Sequence, residues 1–263
     1  RHVIVFGCDA QDNIGVQDPL LIRFSDQENP LVWSAQATNT AGDLRIGTGS
    51  EIITAVETRQ QILVFTDKSL HAMQYLGPPF TFGISMLSEN ITIASPLAAI
   101  AVDDMVMWMG EQEFYLYTGQ VQKLPCSVRS YVFNDFNQDQ AEKVTAAVNS
   151  SYSEIWWFYP SATVTNGLMN QDLDKYVVYN YQEKVWYYGN LARSAWIDRG
   201  IGQYPIAASL DGYLYYHEFG NDDGSVNPPA GITSYIESSQ MSIGAGDNFV
   251  LLSKLIPDVT FDG

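Results

Sequence analysis

Three histidines occur in the chain, His2, His71 and His217, and no two stand at the spacing a metal site needs. Each lies on or beside an apolar stretch, and for His71, within a strand, a packed or edge imidazole is a better reading than a catalytic base. Carboxylates are the more plentiful acid–base groups. Asp67, Asp103, Asp104, Glu111 and Glu113 all fall at the ends of apolar runs. Glycoside cleavage can be built from two such groups flanking a sugar. No Gly-x-Ser-x-Gly elbow, phosphate loop or dinucleotide fingerprint is present. Gly47-Thr48-Gly49-Ser50 lacks the lysine of a phosphate loop and reads as a turn ahead of Ile52. Asn221-Asp222-Asp223-Gly224-Ser225 offers oxygen side chains in the manner of a calcium loop, without the bidentate Glu that completes one. It reads as a solvated turn before Pro228-Pro229. No residue is assigned a catalytic, metal-binding or cofactor-binding role, and no cofactor is expected.

Composition narrows the partners. The formal net charge is −17, and a surface that acidic repels both phosphate and anionic lipid. No apolar run approaches the ~20 residues of a membrane span. The two cysteines, Cys8 and Cys126, are too few for a disulfide framework and read as buried free thiols. The chain opens at Arg1 without an initiator Met and runs at once into Val3-Ile4-Val5-Phe6, which reads as a piece of a longer chain. Aromatic residues reach 13%, charged residues only 16%. That balance favours strands over helices. Trp156-Trp157-Phe158-Tyr159 and Trp186-Tyr187-Tyr188 could form a sugar platform. Adjacent bulky aromatics more simply fill the two faces of one strand.

The elements that would position these groups are short strands joined by tight polar turns. Ile62–Phe65 pairs with Leu70–Tyr75, Met105–Met109 with Phe114–Tyr117, Tyr176–Asn180 with Val185–Tyr188, and Ile206–Ser209 with Tyr213–Tyr216. Asp211-Gly212 is the strongest hairpin turn among them, because Gly supplies the positive φ. Helix is expected only in one or two turns within 127–144. An apolar strand precedes each hairpin, beginning near Val3, Ile52, Leu97, Thr145 and Pro205. These starts recur every ~45–50 residues, with a last step of ~60 that a polar, exposed loop from Ser161 to Asp174 explains. Such a period in units of about four antiparallel strands predicts an all-β fold, a β-propeller. The expected blades are 1–50, 51–96, 97–144, 145–204 and 205–263 of a single domain or a fragment of one. Sialidase-like propellers gather arginines around a substrate carboxylate. Here the arginines are scattered, and Ser209-Leu210-Asp211-Gly212 lacks the flanking Thr-Trp of an Asp-box.

Several stretches carry a resemblance. They are Ile62-Leu63-Val64-Phe65-Thr66-Asp67-Lys68-Ser69-Leu70, Glu154-Ile155-Trp156-Trp157-Phe158-Tyr159-Pro160, Tyr176–Tyr181 with Val185-Trp186, and Arg193–Asp198. Leu214–Gly220 and Ile236-Glu237-Ser238-Ser239 leading to Ile256-Pro257-Asp258 complete the set. Together they resemble the tail nozzle, or packaged-DNA stabilization, proteins of short-tailed bacteriophages. The resemblance implies a structural virion protein of the tail, a homohexameric ring that forms the lower DNA channel. Its partners would be a tail adaptor ring above, plug, needle, spike or fibre proteins, and double-stranded DNA that passes without specific binding. It implies no membrane in the mature particle and no enzyme.

The alternative is a carbohydrate-binding or glycoside-cleaving propeller, which needs two carboxylates in one pocket. A propeller adhesion module is a third reading. The best positions for partner contact are the polar segments Ser161–Asp174, with Asn166, Gly167 and Asp172, and Asn221–Asn227, with Asn221 and Asp223.

Overall fold

The computed structural model describes residues 1–223, 226–232 and 253–254. The chain divides into two compact units, Arg1–Phe219 and Gly220–Gly263, a division the sequence does not announce.

The first unit is a run of antiparallel meanders. Sheet one holds β1 (Ile4–Phe6), β2 (Leu21–Phe24) and β3 (Gly42–Arg45). Sheet two holds β4 (Ile52–Glu57), β5 (Ile62–Thr66), β6 (Ser69–Gly77) and β7 (Thr81–Glu89). Sheet three holds β8 (Ala99–Val102), β9 (Met105–Met109), β10 (Phe114–Tyr117) and β11 (Val121–Leu124). Two short helical pieces follow, α1 (Arg129–Asp135) and a 3-10 segment (Gln138–Lys143), where helical turns are expected. Sheet four holds β12 (Thr145–Asn149), β13 (Glu154–Pro160), β16 (Leu173–Asn180) and β17 (Val185–Asn190). A separate ribbon of β14 (Val164–Thr165) and β15 (Leu168–Met169) is inserted between β13 and β16. Sheet five holds β18 (Ala195–Ile197), β19 (Ile206–Ala208) and β20 (Leu214–Tyr216). It starts at Ala195, not near residue 205, because Ala195–Ile197 pairs with Ile206–Ala208 and not with the sheet before it.

These are propeller blades. The first strands of sheets two to five neighbour one another in order, β4 by β8, β8 by β12, and β12 by β18. Alternate residues of each strand face alternate neighbours. On β5, Val64 packs towards sheet one, while Leu63 and Phe65 join the core against sheet three. On β13, Ile155, Trp157 and Tyr159 join that large core, while Trp156 and Phe158 pack with Trp196 of sheet five. The aromatic run therefore fills two junctions, and its strand is buried at every position. His71 lies buried within β6 as a packed residue. Both cysteines are free and half-buried.

The second unit contributes β21 (Asp222–Asp223) paired with β22 (Ala230–Gly231). Gly224 and Ser225 of the calcium-like run lie outside the described residues, as do Ile236–Ser239 and Ile256–Asp258 of the resemblance.

Candidate partner-contact surfaces

The insertion between β13 and β16 is an ordered hairpin, which corrects the expectation of a polar loop. Asn166 and Gly167 sit at φ 54° and 78°, the two left-handed positions of a two-residue turn. They fold Val164 onto Met169 and Thr165 onto Leu168. The foot is fixed by hydrogen bonds. The Ser161 amide and hydroxyl donate to Asp174 at 2.8 and 2.7 Å. Buried Asn137 donates through Nδ2 to the Asn170 carbonyl at 2.7 Å. Lys143 Nζ donates to the Gln171 carbonyl at 2.6 Å and pairs with Asp172 at 3.5 Å. Val164, Leu168 and Met169 remain exposed, Leu168 at 75%. Asn166, Gly167 and Asp172 thus share one footed, apolar-flanked projection. The Asn166-Gly167 dipeptide carried the hairpin signal, and the apolar residues on either side carried the rest.

A larger apolar surface lies on sheet five. Cross-strand register aligns Ala195, Ala208 and Leu214, and likewise Ile197, Ile206 and Tyr216. These six share one face of sheet five and include no polar side chain except the Tyr216 hydroxyl. Ile197, Leu214 and Tyr216 are 66–73% exposed. The opposite face, with Trp196 and Ala207, packs on sheet four. Sheet one is unlike this at its outer face. There Val5, Arg23 and Asp43 are aligned, and Arg23 donates to the Asp9 and Trp33 carbonyls at 3.3 Å. One signal was available: Tyr213–Tyr216 and Ala195–Ile197 are apolar at both parities, as a strand covered on both faces would be.

A polar relay supports sheet five. Asp211 accepts from the Tyr215 hydroxyl at 2.7 Å. The Arg193 guanidinium lies over the Tyr215 ring at 4.9 Å and donates through Nε to His217 Nε2 at 3.0 Å. His217 packs on Trp196 with ring centroids 4.7 Å apart. Desolvation and the Arg193 charge push His217 down to about 4, so at neutral pH it is an uncharged acceptor.

Three of the five carboxylates singled out in the sequence are tied up locally. Asp67 accepts from the Ser50 amide and hydroxyl at 2.6 and 2.9 Å. Asp104 pairs with Arg59 at 3.5 Å, and Glu113 with Lys123 and Arg129 at 3.2 and 2.9 Å. Asn221 is exposed, and its carbonyl accepts from the Ile232 amide at 3.1 Å. Asp223 lies in β21.

No protein-family model matches the chain, and no curated protein matches it. Solved structures of two yeast proteins are similar. Hsv2 from Kluyveromyces marxianus superposes with a TM-score of 0.44 at 7% identity, over 75% of this chain and 56% of that one. Hsv2 from Kluyveromyces lactis gives 0.41 at 12% identity, over 87% of this chain and 66% of that one. This chain spans less than two thirds of either.

Proposed function

We propose that this chain is a structural subunit of a phage tail nozzle, assembled as a ring around the lower DNA channel. The observation that carries the reading is the bare face of sheet five. An exposed, nearly uncharged face of three strands is an assembly surface, because apolar surface of this kind is stabilised when another protein covers it. The footed hairpin at Val164–Met169 offers a second contact for a tail partner. The acidic charge suits a conduit, because each neutralised phosphate would add to affinity for DNA and slow its passage. The sequence resemblance supplies the phage and tail terms of the reading.

Cryo-electron microscopy of the particle bearing this chain tests it. A sixfold ring coaxial with a phage tail, its inner wall acidic, is the expected result. A basic inner wall, or a location away from the tail axis, would overturn it. In solution, Ile197→Asp with Leu214→Asp is expected to leave the fold intact and abolish ring assembly.

A further inference from the structure

Glu218 follows β20 with φ 58°, a left-handed backbone that disfavours a residue with a side chain. The residue as a whole reaches solvent, but its carboxyl tip turns to Asn149, the last residue of β12. Asn149 is fully buried, and its Nδ2 donates to Glu218 Oε1 at 3.1 Å. The other end of the same amide, Oδ1, is buried with no hydrogen-bond partner among the described residues. An unmet buried acceptor is costly unless a donor beside it can turn to meet it.

The surroundings name that group. Glu154 of β13 is buried and accepts from Trp156 Nε1 at 2.9 Å and from the Tyr187 hydroxyl. Both of its oxygens are thereby met by donors. Tyr187 of β17 keeps its proton, since desolvation and the Glu154 hydrogen bond push its hydroxyl far up. On the side of sheet five, His217 is uncharged and Arg193 is directed to it. Glu218 therefore lies near the Glu154 carboxyl group and faces one orphaned acceptor.

We propose that Glu218 is held protonated and forms a two-bond acid–amide pair with Asn149, clasping sheet five to sheet four. Glu218 Oε1 accepts from Asn149 Nδ2, and the Oε2 hydroxyl donates to Asn149 Oδ1. The proton comes from solvent. Losing it removes the second bond, leaves Oδ1 facing a carboxylate, and sets two like charges against each other. Desolvation, and then the charge of Glu154, push the Glu218 carboxyl up and outweigh the Asn149 hydrogen bond, which pulls it down; the net direction is the one the pair requires. The clasp is intact below the ordinary glutamate range and weakens as pH rises through the raised value.

Carboxyl-13C NMR of the full chain with labelled glutamate reads the proton directly. One glutamate resonance is expected to titrate above the others, to vanish in Glu218→Gln, and to fall back towards the rest in Glu154→Gln. Amide hydrogen exchange in β18–β20 reads the clasp. Opening is expected to grow tenfold for each pH unit separating the raised midpoint from that of an open carboxyl. Glu218→Gln, an isostere that keeps both bonds at every pH, should abolish that response. Glu218→Gly, which relieves the left-handed backbone, should hold the sheet permanently in its faster exchange. Glutamates that all titrate together, a raised resonance that survives Glu218→Gln, or a pH response that persists in that variant would each overturn the proposal.

Discussion

Trp156 and Trp157 are adjacent in β13 and serve opposite junctions. Trp157 donates through Nε1 to the Ala98 carbonyl of the blade before it at 2.9 Å. Trp156 stacks on Trp196 of the blade after it, with centroids 5.5 Å apart and planes at 20°. Each is a buried aromatic whose truncation leaves a large void. Trp157→Ala is expected to lower the unfolding free energy of the first unit by ~3–5 kcal/mol in denaturant titrations. Trp156→Ala should instead act mainly on sheet five, raising amide exchange in β18–β20 more than in β9 or β10.

That pairing explains what the sequence discloses and what it hides. The run Trp156–Tyr159 could be read as packing because a strand places successive side chains on opposite faces. The period of the hairpins was legible for the same local reason, since each turn and its two strands are contiguous. The start of sheet five was not legible. Ala195–Ile197 is three residues long, and only its pairing with Ile206–Ala208 makes it a strand. The hairpin at Val164–Met169 was masked by the polar residues of its foot. The Glu218–Asn149 contact joins residues 69 apart, and no local pattern announces it.

The hairpin turn gives a local test. Gly167 has φ 78°, and a Cβ placed there would meet nothing within 4 Å. Gly167→Ala therefore carries only the backbone penalty, ~1–2 kcal/mol. Because the ribbon stands apart from the sheets, the loss should appear as faster exchange of the Asn170 amide, which donates to the Thr163 carbonyl at 2.8 Å. The global unfolding midpoint is expected to stay in place.

Helix α1 is anchored by charge. Lys175 Nζ meets Asp135 Oδ2 at 2.7 Å, and both side chains are mostly buried, at 18% and 24% exposure. Lys175→Met strands the Asp135 carboxylate and should cost ~1–3 kcal/mol. Adding Asp135→Leu should recover much of it, since two apolar groups leave no unpaired charge. A double-mutant cycle by urea denaturation gives the coupling, and additive losses would show that the pair does not hold the helix.

Burial pushes the Cys126 thiol up to about 11, so little thiolate exists near pH 8. Reaction with a disulfide reagent at that pH is expected to be slow in the folded chain and to accelerate at least tenfold in denaturant. Fast labelling of Cys126 in the folded chain would contradict its packing against the large core.

His217 supplies an acid response opposite in sign to that of Glu218. Its folded value is about 4, against ~6.5 for a free imidazole. The folded chain therefore binds fewer protons across that window, and its contribution to stability is complete above the free value. It is lost as pH falls from ~6.5 towards about 4, where protonation would set an imidazolium against Arg193 at 3.0 Å. The loss is on the order of 2–3 kcal/mol. Measured in the Glu218→Gln background, which silences the other titration, exchange in β18–β20 should quicken on acidification. His217→Gln keeps an acceptor for Arg193 without a titrating ring, and should flatten that acid limb. A limb that survives this substitution would place the responsible group elsewhere in the relay, with Asp211 the next to replace, because its carboxylate holds the Tyr215 hydroxyl.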